Sequence, residues 1–358
     1  NNEYVFPMAS EGKLKMDKIV DWMERGLIAD SWIRLGIRWL LKKRLDQERT
    51  SQNGSSSESV RQFVEELKSC AIAVNTLEAN QQHYELPPRF FELTLGKYKK
   101  YSSCYWGDGA SQLDCAEENS LISTCERAEL ADEMDILELG CGWGSLSLWM
   151  AEKYPNSKIV AISNSNPQRE AISEIAKDRG LNNLTVLTKD INQFSIDKKF
   201  DRVVSIEMFE HMRNYERLME NIASWLKPSG KLFVHIFCHR EYAYFFDTAG
   251  SDNWMGRYFF TGGVMQSEDL LSNFQKDLSL EKQWCWDGRH YMKTSNAWLK
   301  NMDEKKSAIL PIFREVYGEK ESSIWFQRWR MFFMACAELF GYKRGKEWIV
   351  AHYLFRKN

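Results

Sequence analysis

Between residues 134 and 240 short apolar runs alternate with helical stretches, and this alternation limits the fold more than any other feature of the chain. The strand candidates are Asp135-Ile136-Leu137-Glu138-Leu139, Lys158-Ile159-Val160-Ala161-Ile162, Leu184-Thr185-Val186-Leu187, Arg202-Val203-Val204-Ser205-Ile206 and Lys231-Leu232-Phe233-Val234-His235-Ile236. Tyr215, Leu218, Met219, Ile222, Trp225 and Leu226 recur at helical spacing, and Lys227-Pro228-Ser229-Gly230 predicts the stop of that helix. Strands alternating with helices predict a parallel, doubly wound α/β sheet. Past Arg240 the pattern loosens into aromatic-rich segments, with a strand expected at Leu280–Trp286 and a last one at Trp348–Arg356 around a helical insert. Upstream, Met16, Ile19, Val20 and Met23, and then Trp32, Leu35, Trp39 and Leu40, recur at helical spacing. Gln52-Asn53-Gly54-Ser55-Ser56-Ser57 reads as a mobile break, a further helix is expected from about Val60 to Asn80, and Pro87-Pro88 forces an extended entry. The expected organisation is a helical region at 1–125, a ligand-binding core at 126–240, and inserts plus the last two core strands at 241–358.

The 358 residues carry 48 Lys+Arg against 50 Asp+Glu, a net charge of −2 that argues against a protein built to grip nucleic acid. No run approaches 18 apolar residues, so no membrane span is expected, and Asn1-Asn2-Glu3-Tyr4 lacks the basic start and apolar run of a secretory signal. Eight cysteines lie scattered without a CxxC pair or zinc spacing, which predicts no metal and reduced thiols in a cytoplasmic protein. Aromatic residues reach 13%, including 14 Trp; they fill cores, and they also build pockets for flat or cationic ligands.

The first strand runs into Gly140-Cys141-Gly142-Trp143-Gly144 and then a helix carrying Leu146, Trp149 and Met150. Glycines let a ligand approach the backbone, and the helix start supplies free N–H groups. The spacing is neither the dinucleotide fingerprint nor a Walker loop. With Glu138 just ahead, it suits a ligand with a cationic amino-acid tail and no pyrophosphate, namely S-adenosylmethionine; a purely structural glycine turn is the competing reading. Ligands of doubly wound sheets sit beyond the carboxyl ends of the strands. There the second strand offers Asn164 and Gln168 in place of the usual ribose-binding acid, with Ser165 before Pro167 as a helix cap. The third strand ends in Asp190-Ile191, placed for an adenine ring, or simply for a helix cap. After the fourth strand, Glu207, Glu210 and His211 put three proton-handling groups within five residues, with Glu207 and His211 on one face if the turn is helical.

Four segments taken together resemble the plant coclaurine N-methyltransferase family, which also includes pavine and tetrahydroprotoberberine N-methyltransferases and is similar to cyclopropane-fatty-acid synthases. They are Lys100-Tyr101-Ser102-Ser103-Cys104-Tyr105-Trp106, Glu138-Leu139-Gly140-Cys141-Gly142-Trp143-Gly144, Ser205-Ile206-Glu207-Met208-Phe209-Glu210-His211-Met212 and Thr261-Gly262-Gly263. The resemblance implies a Rossmann-like, seven-stranded class I methyltransferase sheet, an N-terminal helical region, and C-terminal helical and aromatic inserts that form a substrate cap. It implies S-adenosylmethionine contacts from Tyr101, Ser102, Gly140, Gly142, Asn164, Gln168, Asp190, Ile191 and Ile206. Glu207, Glu210 and His211 would handle and deprotonate a small amine; Tyr84 and Glu85 would reach it, and Trp329 with Phe332 would wall its pocket. The amine would be a benzylisoquinoline or a phenylalkylamine, and a homodimer stays open.

The rival expectation is methylenation of unsaturated lipid acyl chains on the same fold. Its support is the stretch Trp32–Leu45, where Arg34, Arg38, Lys42, Lys43 and Arg44 flank Trp and Leu in a composition that can lie on a membrane. Against it stand the net charge and Ser103, which occupies the place of the cysteine in the synthases' Tyr-Ser-Cys segment, with Cys104 one residue late; His235 falls where those enzymes also have a histidine. The alternative reading of the stretch is an amphipathic helix packed on the sheet.

Overall fold

The computed structural model describes residues 17–51, 56–74, 86–107, 109–246, 248 and 253–358. Its centre is a nine-stranded sheet. Strands β1 (Asp135–Leu139), β2 (Lys158–Ser163), β3 (Leu184–Thr188), β4 (Phe200–Ile206) and β5 (Leu226–His239) lie in the order β3-β2-β1-β4-β5, all parallel. Buried on both faces, β1, β2 and β4 are read from sequence as nearly unbroken apolar runs. β9 (Trp348–Lys357) adds antiparallel to β5, and β8 (Leu278–Trp286) adds antiparallel to β9. These seven strands are the class I sheet that the motifs implied.

Two further strands belong to the inserts. β4 leaves β5 after the pair Ile206↔His235, because the chain turns away at Glu207. The vacated edge of β5 is taken by β7 (Val264–Ser267), paired at Cys238↔Gln266 and His239↔Ser267, and the short β6 (Tyr244–Phe245) pairs with β7. β5 is thus longer than the expected Lys231–Ile236. The helix Tyr215–Trp225 stops where predicted, but Lys227-Pro228-Ser229-Gly230 belongs to an irregular start of the strand, with a register shift against Phe200 and Arg202.

The helix expected to reach Asn80 ends earlier, at Ser69. Asn214 Nδ2 donates to the carbonyls of Lys68 and Cys70, ending the helix from outside, and Ala73 then bridges Met212. The helix Asp30–Ser51 also corrects its expectation. It packs on the C-terminal helix Ser322–Gly341 rather than on the sheet, through Ile33, Ile37, Leu41 and Leu45 at i, i+4 spacing, while Arg34 and Arg38 pair with Glu338. Trp32, Leu35 and Trp39 face outward at 68%, 52% and 56% exposure. Tyr84, Glu85 and most of the expected 52–57 break lie outside the described residues. Among the described residues no helix is long and apolar enough to cross a membrane.

Much of the aromatic excess goes into one core beside the sheet, where Phe90, Phe91, Phe259, Trp298, Trp329, Phe332 and Phe333 pack between the inserted helices. The glycine loop joins that side to the sheet. Gly144 has φ +81°, and a Cβ added there would stand 2.6 Å from Ile172 Cγ1, whereas Gly142, at φ +52°, has nothing within 4 Å. Gly144→Ala therefore combines left-handed strain with overpacking and is expected to cost about 2–3 kcal/mol of stability. Gly142→Ala carries the left-handed strain alone and is expected to cost about 1 kcal/mol. Denaturant unfolding of the two variants checks this, and equal losses would contradict it.

Candidate active site

Two cavities open along the carboxyl edge of the sheet and meet at Gly140, Gly142 and Glu207. The loop between β1 and the helix Ser145–Lys153 is pinned at its start, because the N–H groups of Gly140 and Cys141 both donate to Ile162 O, at 3.0 and 2.9 Å. One cavity runs over β2 and β3, lined by Asn164, Gln168, Asp190, Ile191, His211 and Met212. The other runs under the 100–104 segment, lined by Tyr101, Ser102, Glu138, Trp143, Ser145 and Ile206. All nine residues expected to contact S-adenosylmethionine thus border one or other cavity.

Their chemistry fits a nucleoside with an amino-acid tail. Gln168 is 2% exposed; its Oε1 accepts from the Ser163 hydroxyl at 2.6 Å, while its Nε2 is buried without a partner, a donor left over for a ligand hydroxyl. Ser165 caps the helix Asn166–Asp178 as expected. Asp190 Oδ1 accepts from the N–H of Asn192 at 2.9 Å, which holds the turn beneath the cavity. The open space over Gly142 is a cradle that any side chain would fill. Glu138 is 2% exposed, takes a hydrogen bond from the Ser147 hydroxyl, and is pushed up to about 7 by burial.

The acid–base cluster is assembled differently from the expectation. Glu207 has φ +46°, so it and His211 do not share a helical face; the helical turn is only the short 3₁₀ segment Phe209–His211. Both residues nonetheless border the same cavity, whereas Glu210, the third member expected there, lines neither cavity. Glu207 Oε1 accepts from Ser103 N–H at 2.8 Å and contacts His235 Nε2 at 3.2 Å, and Oε2 accepts from the Tyr291 hydroxyl at 2.7 Å. Burial raises this carboxyl, and Lys100, Ser103 N–H, Tyr291 and His211 oppose the rise. Lys100 is itself buried, donating to Ser102 Oγ at 2.5 Å and Ser103 O at 2.6 Å, and so fastens the segment that carries Tyr101 and Ser102.

Glu210 is 1% exposed and its Oε2 has no hydrogen-bond partner; burial and the nearby Glu207 carboxylate drive its carboxyl well above the usual range. Burial lowers His211 to about 4, with Glu207 pulling upward, so its imidazole is neutral near pH 7. Its ring stacks on Phe260 at 5.9 Å and 7°. Phe260 continues to Phe332 at 6.2 Å, and Phe332 to Trp329 at 5.7 Å. Trp329 and Phe332 are buried at 0% and 4% and line neither cavity described above, standing one aromatic layer behind it. Sequence reasoning missed Lys100 and Tyr291 as members of the site. Nothing marks Tyr291, since it lies 84 residues from Glu207 in a helix of ordinary pattern. Lys100 opens the Lys100–Trp106 segment, and its signal, a lysine beside a buried turn, emerges only with burial.

Residues 73–348 match the family of mycolic acid cyclopropane synthetases. Over nearly its whole length the chain is similar to (S)-coclaurine N-methyltransferase of Thalictrum flavum subsp. glaucum, 35% identical over 360 residues, which covers 98% of this chain and 100% of that protein. The chain belongs to the coclaurine N-methyltransferase family. A crystal structure of coclaurine N-methyltransferase bound to N-methylheliamine and SAH matches with a TM-score of 0.92 at 33% identity, covering 96% of this chain and 100% of that one. A cyclopropane synthase of Mycobacterium tuberculosis matches with a TM-score of 0.68 at 20% identity, covering 80% of this chain and 99% of that one, which is a likeness of fold alone. As a coclaurine N-methyltransferase family member, the chain is an S-adenosylmethionine-dependent N-methyltransferase.

Two outcomes follow for the donor side. Gly142→Ala is expected to raise the dissociation constant for S-adenosylhomocysteine about tenfold or more, read by calorimetry, since the new methyl fills the cradle. An unchanged constant would remove the glycine from the binding surface. Glu138 holds its proton more tightly folded, near 7, than at its ordinary 4.5, so its penalty is absent below about pH 4.5 and complete above 7. Glu138→Gln is therefore expected to gain stability over the parent at pH 8, by at most about 3 kcal/mol, and to lose that gain towards pH 5. Thermal unfolding at both pH values checks the sign; a gain that grows as pH falls would contradict it.

Proposed function

We propose that the site methylates the nitrogen of a small aromatic amine, of benzylisoquinoline or phenylalkylamine type, with Glu207, Glu210 and His211 handling the amine and its proton. The reading rests on one observation: a buried carboxylate oxygen of Glu210 without a partner, next in the chain to a neutral imidazole at the cavity edge. An alkyl amine has a pKa near 10, like lysine, and arrives as a cation that cannot attack carbon. Glu210, protonated while the site is empty, is ionised by the arriving cation and becomes its counter-charge, its displaced proton leaving to solvent, and the ring of Phe260 beside His211 adds cation–π attraction.

Burial then brings the proton affinities together. It lowers those of cationic acids, the ammonium among them, and raises those of carboxyls. His211, already low, does not hold a proton for long, and Glu210, already high, does. The proton passes from the amine to the His211–Glu210 pair, while Glu207, held by three contacts, stays in place as a fixed negative charge. S-adenosylmethionine, held at the cofactor contacts, would supply an electrophilic methyl group; the freed nitrogen lone pair forms the N–C bond as the S–C bond breaks, leaving neutral S-adenosylhomocysteine. Alignment of the nitrogen by Glu210 and the aromatic wall supplies much of the acceleration.

Tyr101, Ser102, Gly140, Gly142, Asn164, Gln168, Asp190, Ile191 and Ile206 are the cofactor contacts in this reading. The aromatic ring of the amine lies against Phe260, backed by Phe332 and Trp329; Tyr84 and Glu85, which the family resemblance also assigns to the amine, lie outside the described residues. Cytoplasmic residence is part of the same proposal, supported by eight free thiols. The lipid reading loses part of its support, because Arg34 and Arg38 are tied to Glu338 and do not form a free basic face.

His211→Ala and Glu210→Gln are expected to lower kcat about 10²- to 10⁴-fold on an amine panel, with the dissociation constant for S-adenosylhomocysteine changed by less than about threefold. Vesicles of cis-unsaturated phospholipid are expected to yield no cyclopropane product. Full turnover in both variants between pH 7 and 9.5, or a cyclopropane product without amine methylation, would overturn the proposal.

A further inference from the structure

Behind Glu207 runs a buried line of polar groups that leads away from both cavities. His235 Nε2 lies 3.2 Å from Glu207 Oε1, and His235 Nδ1 lies 2.8 Å from His352 Nε2. His235 and His352 are direct partners across β5 and β9, and both are 0% exposed. His352 Nδ1 in turn contacts Arg127 Nη1. Arg127 ends the helix Leu113–Arg127, with its guanidinium 5.3 Å from the ring centroids of both Trp284 and Trp286.

This line has a direction. A guanidinium has five donors and no acceptor, and it does not lose its charge. His352 Nδ1 must therefore accept from Arg127, which puts the His352 proton on Nε2. That N–H donates to His235 Nδ1, which must accept, so the His235 proton also sits on Nε2 and points at Glu207 Oε1. Burial, with the like charges of Arg127 and Lys100 nearby, keeps both imidazoles neutral, so each ring has one proton to place. Without Arg127 the line can reverse: His352 protonates at Nδ1, His235 Nδ1 donates to it, and His235 Nε2 turns a bare lone pair on the carboxylate. Two acceptors then face each other at 3.2 Å, a contact relieved only if Glu207 takes up a proton.

We propose that Arg127, outside both cavities, is a positioning residue that acts through His352 and His235 to hold Glu207 as an ionised acceptor. The proposal rests on the reading of Glu207 as the fixed negative charge of the amine site. The other groups that face this carboxylate are Ser103 N–H, Tyr291, Lys100, His211, Glu210, Cys104 and Cys336, and none of them is a chain of two imidazoles that reverses its polarity by moving protons alone, as the line from Arg127 does.

The test is nitrogen-15 NMR of histidine-labelled protein saturated with S-adenosylhomocysteine, together with kcat on a methylated amine. In the parent, His235 and His352 are expected to be neutral and protonated at Nε2 only. In Arg127→Met, His352 is expected to carry its proton at Nδ1, and kcat to fall about tenfold or more with S-adenosylhomocysteine binding kept. Arg127→Lys restores a donor and is expected to recover the parental tautomers and most of kcat. Nδ1 protonation of either ring in the parent overturns the proposal even if Arg127→Met fails to fold, and so do parental tautomers with parental kcat in a folded Arg127→Met. If the tautomers are as expected while Glu207→Gln keeps full turnover, the directional line stands and the role given to Glu207 fails.

Discussion

The Glu207 carboxylate is reached by the 100–104 segment through Ser103 N–H, by the sheet through His235 and by the C-terminal helices through Tyr291. These contacts come from parts of the chain that share no local structure, and they converge where β4 ends in a left-handed residue. The same turn takes β4 away from β5, which leaves an edge for β7 and so brings the Thr261-Gly262-Gly263 segment and Phe260 over His211. A backbone conformation that costs about 1 kcal/mol or more persists because these neighbours over-determine it. Removing the carboxylate would leave the buried Tyr291 hydroxyl without its acceptor and the buried Lys100 without a nearby counter-charge.

Electrostatics at the site follow from burial more than from any single pair. Glu210 rises, His211 and the deeper histidines fall, and Lys100 falls, each because its charged form loses water. Glu207 finds donors in Ser103 N–H and the Tyr291 hydroxyl, whereas Glu210 Oε2 finds none and only its own backbone N–H opposes the rise of that carboxyl, so Glu207 is the better placed of the two to stay charged. The sequence offers His211 as the base, with an intrinsic pKa near neutrality; burial lowers it to about 4 and makes the imidazole a weaker resting proton acceptor.

The parallel core was legible because strands buried on both faces read as apolar runs and because Gly140, Gly142 and Gly144 punctuate the first crossover. The Ser165 cap was legible for the same local reason. The partner of the N-terminal helix was not legible: Trp32, Leu35 and Trp39 carry more apolar surface than Ile33, Ile37 and Leu41, yet the narrower aliphatic stripe is the one that meets Ser322–Gly341, where Arg34 and Arg38 pair with Glu338. The early end at Ser69 depends on Asn214, which lies 146 positions from Lys68, and no local signal announces it. Tyr291, His352 and Arg127 reach the site only through tertiary pairing. His235 was visible as a histidine in an apolar strand, but its direction of hydrogen bonding depends on Arg127, which sequence alone does not connect to it.

The central claim is that an amine nitrogen is held between Glu210 and His211, in line with the transferred methyl group. A crystal structure of the chain with S-adenosylhomocysteine and a methylated amine product tests it most directly. The account predicts the amine nitrogen within about 3 Å of a Glu210 carboxylate oxygen or of a His211 ring nitrogen, on the cavity side of Phe260. Density that places the amine away from both groups, with Glu210 still buried and unpartnered, would contradict it.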